Sequence, residues 1–152
     1  MDNNFANLIA DTEHWQNCKP PLSPNQEEVR LYKELIGDNS PVCLLGMTKE
    51  LIHLCDLAVD LKPINIKKPT LQCDWNNLEG SFGAIIGDGV LNLTGLQFIE
   101  KALKISKKFI CRTFTYKQPG MKYATIFPTE FPGSKVVIQT QENIVIAKWE
   151  VE

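Results

Sequence analysis

Val42-Cys43-Leu44-Leu45-Gly46-Met47-Thr48, with Val59-Asp60 closing fourteen residues beyond the glycine, decides how this chain reads. Four apolar residues after Pro41 suit a strand buried on both faces of a parallel sheet. The glycine permits close backbone approach to a ligand, and residues 48–56 are expected to begin a helix there. An acidic residue ending the next apolar run can then hold a ribose. Many α/β proteins carry a strand, a glycine and a later aspartate, so the flanking sequence has to decide.

From residue 42 onward, apolar strands alternate with helical segments, the signature of a mostly parallel sheet covered by helices. Strands are predicted near 42–46, 57–60, 70–74, 83–87 and 107–113. Besides 48–56, a helix fits 95–105, with Leu96, Ile99, Ala102 and Leu103 on one face. The link from Asp60 to Thr70 holds Pro63 and Pro69 and has room for one helical turn at Pro63 to Lys67. Residues 116–134, rich in proline and glycine, read as a long loop suited to a lid. Lys135 to Thr140 and Ile144 to Val151 flank Gln141-Glu142-Asn143 as an antiparallel hairpin at the end of the sheet.

Upstream, Phe5, Leu8, Ile9 and Thr12 fall at helical spacing within 3–16, and Trp15 lies at that helix's end. Cys18-Lys19-Pro20-Pro21-Leu22-Ser23-Pro24 breaks regular structure. Ser23 before Pro24, with Gln26 three residues on, predicts a capped helix that Gly37 stops. Its apolar face is Val29, Tyr32, Leu35 and Ile36.

The chain has 152 residues and 43% apolar content, enough for one full core. A net charge of -2 argues against a partner bound mainly through bulk attraction to nucleic acid or anionic membrane. Cys18, Cys43, Cys55, Cys73 and Cys111 are odd in number and mostly sit in apolar runs, so they read as small buried hydrophobes. That points to a reducing cytoplasm. The start Met1-Asp2-Asn3-Asn4 lacks the pattern of a signal peptide, and no apolar stretch approaches the ~18 residues of a membrane span. A soluble, unprocessed chain is expected.

In an open α/β sheet, ligands bind beyond the carboxyl ends of the strands, where strand order reverses. The predicted strands end at Gly46-Met47-Thr48, Asp60, Asp74-Trp75 and Gly87-Asp88-Gly89. Three of them therefore deliver an acid to one rim. For each carboxylate taken alone, a solvated loop or a helix cap is the competing reading.

These residues resemble the class I methyltransferases that use S-adenosylmethionine, and within them a subgroup with a Leu-Leu-Gly-Val-Thr-like first motif. The matching words are Leu44-Leu45-Gly46-Met47-Thr48, Val59-Asp60, Cys73-Asp74-Trp75 and Ile86-Gly87-Asp88-Gly89-Val90-Leu91-Asn92. Trp15 with Pro20-Pro21-Leu22-Ser23-Pro24 is similar to the subgroup's amino-terminal lead-in, and the likeness runs over residues 14–113. It implies a single Rossmann-like α/β domain over 1–152, with a helical lead-in at 1–40, a cofactor-binding core at 42–113, and a loop and hairpin at 114–152.

It further implies that Trp15 in the lead-in is cofactor-binding and that Gly46, Met47 and Thr48 line the amino-acid part of the cofactor. Asp60 would accept from the ribose hydroxyls. Asp74 would meet the adenine amino group, with Trp75 against the ring face, although Trp75 also suits an ordinary core position. Gly87, Asp88 and Gly89 would approach the methionine moiety, the carboxylate facing its ammonium. Asn92 would fix that loop, touch the cofactor or cap a helix. The first loop has one glycine where the wider family has several, and the shortened link after Asp60 removes a helix found in fuller members.

Methyl transfer from a sulfonium needs alignment and exclusion of water more than a fixed catalytic group, and no catalytic residue is singled out. An acceptor that must lose a proton needs a base within reach: His14 near the lead-in and Tyr116, Tyr123 and Glu130 on the long loop are weighed for it against the commoner reading as exposed polar loop residues, while His53 reads as structural. No metal-ligand spacing, phosphate loop or nucleophile elbow is present. Lys101, Lys104, Lys107, Lys108, Arg112, Lys117 and Lys122 concentrate positive charge, read as a solvated helix face and loop rather than an RNA platform. Three functions compete: a small methyltransferase with a small-molecule acceptor, a non-catalytic S-adenosylmethionine-binding or regulatory protein, and a nicotinamide-dependent oxidoreductase. The last lacks its Gly-x-Gly-x-x-Gly run.

Overall fold

The computed structural model describes residues 17–115 and 131–152. The helix predicted over 3–16, Trp15, and residues 116–130 of the long loop lie outside them. The first described helix, α1 (Gln26–Ile36), starts two residues later than its sequence cue. Asn25, not Ser23, is the cap. Its side chain accepts from Glu28 N at 2.8 Å while the Glu28 carboxylate accepts from Asn25 N at 2.9 Å, closing a capping box. Gly37 ends the helix at φ 60°, as its position implied.

One seven-stranded sheet follows, in the order β3-β2-β1-β4-β5-β7-β6. Its strands are β1 (Val42–Leu45), β2 (Leu57–Asp60), β3 (Thr70–Gln72), β4 (Ala84–Asp88), β5 (Lys108–Phe114), β6 (Val136–Gln141) and β7 (Ile144–Glu150). Strands β1 to β5 pair in parallel. Strand β7 returns antiparallel beside β5 and carries β6 on its outer edge, so the predicted hairpin is present. Asn143 turns it at φ 60°, a left-handed conformation that asparagine tolerates.

Because alternate residues of a strand face opposite sides, the apolar runs divide between two cores. Val42, Leu44, Ala84, Ile86 and Ile110 meet Tyr32 and Ile36 of α1 on one face. Cys43, Leu45, Ile85 and Phe109 lie on the other, under α2 (Val90–Thr94) and α3 (Phe98–Ile105). Leu96, Ile99, Ala102 and Leu103 all pack against this second core. Cys18, Cys43, Cys55 and Cys111 are buried and Cys73 is half-buried, all as free thiols.

The crossovers on one side are thinner than the sequence suggested. Residues 48–56 form a single 3₁₀ turn, Ile52–Leu54, instead of a helix. Leu51 N bonds the Thr48 carbonyl and Leu54 N that of Leu51, and β2 begins before a longer helix can develop. Pro63 to Lys67 form no helical turn. Ile64 and Ile66, two residues apart, both pack on the α1-side core, which an extended chain permits and a helix would not. Strand β3 stops at Gln72, short of Asp74. No helix of the described residues is long and apolar enough to cross a membrane.

Candidate functional site

Strand order reverses between β1 and β4: the chain runs outward through β2 and β3, then returns to the far side of β1. The two connections diverge there and leave a crevice beyond the carboxyl ends. A cavity of about 310 Å³ opens at that point. Gly46, Met47, Thr48, Asp60, Asp74, Trp75 and Asp88 line it, together with Leu45, Leu61, Asn76, Leu93 and Thr94. Seven of the sequence-derived candidates thus share one wall.

Each side chain is held by its own local structure. Gly46 turns at φ 97°, a region that strains any side chain, and its N–H donates to the Val59 carbonyl at 2.7 Å. The Trp75 indole N–H donates to that same carbonyl at 2.9 Å, which fixes the ring beside Gly46. Trp75 also packs on the core, the ordinary position weighed for it, while its ring lines the cavity. Asp60 accepts from Lys62 N at 2.8 Å in the turn after β2. Asp74 caps the 3₁₀ turn Trp75–Asn77 through Asn76 N at 2.9 Å, the helix-cap role weighed for it, and still lines the cavity.

Three candidates lie behind the wall. Gly87 is needed for packing, since a Cβ there would stand 2.3 Å from Val90 Cγ2. Gly89 turns at φ 71° to start α2 and bonds the Arg112 carbonyl at 2.9 Å. Asn92 is 1% exposed, donates to the Phe114 carbonyl at 2.8 Å and accepts from Phe114 N at 3.0 Å. It latches the end of β5, a partner that sequence reading did not foresee, and does not line the cavity.

Sequence reading missed the cluster beneath Asp88. Arg112, counted there with a solvated basic stretch, is 0% exposed. It is the register partner of Asp88 on the neighbouring strand. Its Nη1 lies 3.1 and 3.3 Å from the two Asp88 oxygens, and its Nε lies 3.1 Å from Glu28 Oε2, a charge contact without hydrogen-bond alignment. Nη1 also donates to the Leu22 carbonyl at 3.3 Å and Nη2 to that of Pro21, which ties the lead-in to the sheet. Burial pushes the Asp88 carboxyl up to about 6 although the guanidinium opposes it. Burial alone would lower Arg112, but Asp88 and Glu28 outweigh it and keep the guanidinium protonated. Leu93 and Thr94 were missed because the five-residue α2 is too short to show helical periodicity.

No protein-family model and no curated protein matches the chain. Solved structures do. The N-terminal domain of EvdMO1, crystallised with SAH bound, is similar at TM-score 0.59 and 11% identity, over 100% of this chain and 98% of that one. Magnesium protoporphyrin IX methyltransferase from Synechocystis PCC 6803, crystallised with bound SAM, gives TM-score 0.55 and 10% identity over 97% and 95%. A putative Zn-dependent alcohol dehydrogenase from Rhodobacter sphaeroides gives TM-score 0.65 and 11% identity over 99% and 99%. At such identities the likeness shows the fold alone, a Rossmann-like α/β fold of the methyltransferase kind with its antiparallel β5-β7-β6 edge.

Proposed function

We propose that this chain binds S-adenosylmethionine and transfers its methyl group to a small-molecule acceptor. The observation that carries the reading is the convergence of Asp60 and Asp88, from the ends of β2 and β4, and of Asp74-Trp75, from the 3₁₀ turn after β3, on one cavity at the topological switch point. The lining suits the group. Leu45, Met47, Leu61, Trp75 and Leu93 offer an apolar bed for a base and a thioether, and the carboxylates of Asp60, Asp74 and Asp88 on the same cavity are acceptors suited to hydroxyl, amino and ammonium donors.

In this reading Asp60 takes the ribose hydroxyls and Trp75 stacks on the adenine. Asp74 accepts from its exocyclic amine, and Asp88 faces the ammonium of the amino-acid tail. Gly46, which has no side chain, leaves the wall open where the chain turns out of β1. The cofactor supplies a sulfonium-activated methyl donor when bound. The chain itself contributes orientation and a largely apolar enclosure that excludes water from the displacement. The fold shared with an alcohol dehydrogenase does not favour a nicotinamide cofactor here, because Gly46-Met47-Thr48-Lys49-Glu50-Leu51 has one glycine where a dinucleotide turn needs three.

Calorimetry with S-adenosylmethionine, S-adenosylhomocysteine and NAD tests the reading, with heat expected from the two sulfur compounds only. No response to either would overturn it. Mass spectrometry of cell extract treated with labelled cofactor then separates a transferase from a non-catalytic binder. A methylated small product is expected.

A further inference from the structure

We propose that Arg112 is a positioning residue: backed by Glu28, its guanidinium presents Asp88 to the cavity as the seat for the ammonium of the cofactor's amino-acid tail. The inference rests on the cofactor reading above. Two buried carboxylates face one guanidinium, so the cluster carries one negative charge in excess. An uncompensated buried charge is costly, and a cation placed against it removes the cost.

The excess falls on Asp88. Glu28 is saturated by Asn25 N at 2.9 Å, Thr140 Oγ1 at 2.6 Å, Gln141 Nε2 at 3.1 Å and the Arg112 contact. Asp88, among the described residues, takes hydrogen bonds from Arg112 alone, and it is the member of the cluster that lines the cavity. Burial raises its carboxyl to about 6, which marks the ionised form as the costly one in that position. The other groups facing Asp88 are Glu50, which adds to the negative potential, and Cys18, Tyr32 and Cys111, held neutral chiefly by burial.

Arg112 cannot swing away to follow a ligand. Its guanidinium also holds the Pro21 and Leu22 carbonyls and lies 5.0 Å from the Phe114 ring centre, while its backbone N–H is bound by the Tyr32 hydroxyl at 2.7 Å. The guanidinium therefore fixes the direction of the Asp88 carboxylate and competes for only part of it.

Two probes separate this role from a structural one: S-adenosylhomocysteine, and 5′-methylthioadenosine, which keeps the nucleoside and thioether but lacks the tail. Calorimetry on the whole chain should show Arg112→Lys raising the Kd for S-adenosylhomocysteine at least about tenfold, with 5′-methylthioadenosine changed by less than about twofold. Glu28→Gln should be selective in the same direction and serves if Arg112→Lys does not fold. Adding Arg112→Lys to Asp88→Asn should cost nothing further, because the guanidinium acts through that carboxylate. Equal weakening of both probes in the folded variants, no weakening, or additive losses would overturn the inference. So would a wild-type chain that binds both probes equally well, although the nucleoside pocket would then stand. If wild type binds neither, it is the cofactor reading that fails.

Discussion

The Tyr32 hydroxyl accepts the Arg112 backbone N–H at 2.7 Å and donates to the Gly87 carbonyl, so a side chain from α1 supplies a rung between β4 and β5. Tyr32 is 0% exposed, and water cannot replace it. Tyr32→Phe leaves a donor and an acceptor unpaired in the core. A loss of about 2 kcal/mol is expected, read as a lower urea midpoint at unchanged m-value. An unaltered midpoint would show that the strand ends pair without the rung.

Asp60 sits half-exposed at the end of β2, on the cavity and away from the buried cluster. Asp60→Ala should therefore spare stability and weaken S-adenosylhomocysteine binding at least about tenfold, the loss of one charge-assisted contact. Affinity unchanged in a folded variant would count against the ribose assignment.

Gly87 has no room for a methyl group, with Val90 Cγ2 at 2.3 Å and the Leu45 carbonyl at 3.3 Å from a notional Cβ. Gly87→Ala forces α2 away from the sheet and should cost about 1–3 kcal/mol. Because Leu93 and Thr94 of α2 line the cavity, ligand affinity should fall with it. Thermal denaturation and calorimetry on the same sample check both. Wild-type stability would mean that α2 yields freely.

Much of this was legible in the chain because its signals are local. Apolar runs of a buried strand need no partner to be recognised: Asp60 ends β2 where the sequence implied, and β1 and β4 end at Leu45 and Asp88, each within one residue of the expected 46 and 87. The spacing of Val29, Tyr32, Leu35 and Ile36 likewise gave the buried face of α1. Crossovers were less legible, since residues 48–56 carry a helical pattern but close a link too short to use it. Arg112 was misread for a different reason. Its lysine neighbours are near in sequence, whereas Asp88 and Glu28 reach it only through strand register and the placement of α1. Charge counted along a chain cannot reveal a pairing that the sheet creates.

That pairing sets an expected pH dependence. Burial raises the Asp88 carboxyl from 3.8 to about 6, against the pull of Arg112. The folded-state value lies above the unfolded one, so between these limits the folded chain binds the proton more tightly. Its contribution to stability is full below pH ~4 and lost as pH rises through about 6, up to about 3 kcal/mol for the whole shift. Asp88→Asn removes the titration but keeps the shape. The stability of wild type minus that of Asp88→Asn, from urea melts between pH 4 and pH 8, should fall across this window and level off above it. A difference that is flat, or that grows with pH, would mean that Arg112 holds Asp88 ionised throughout.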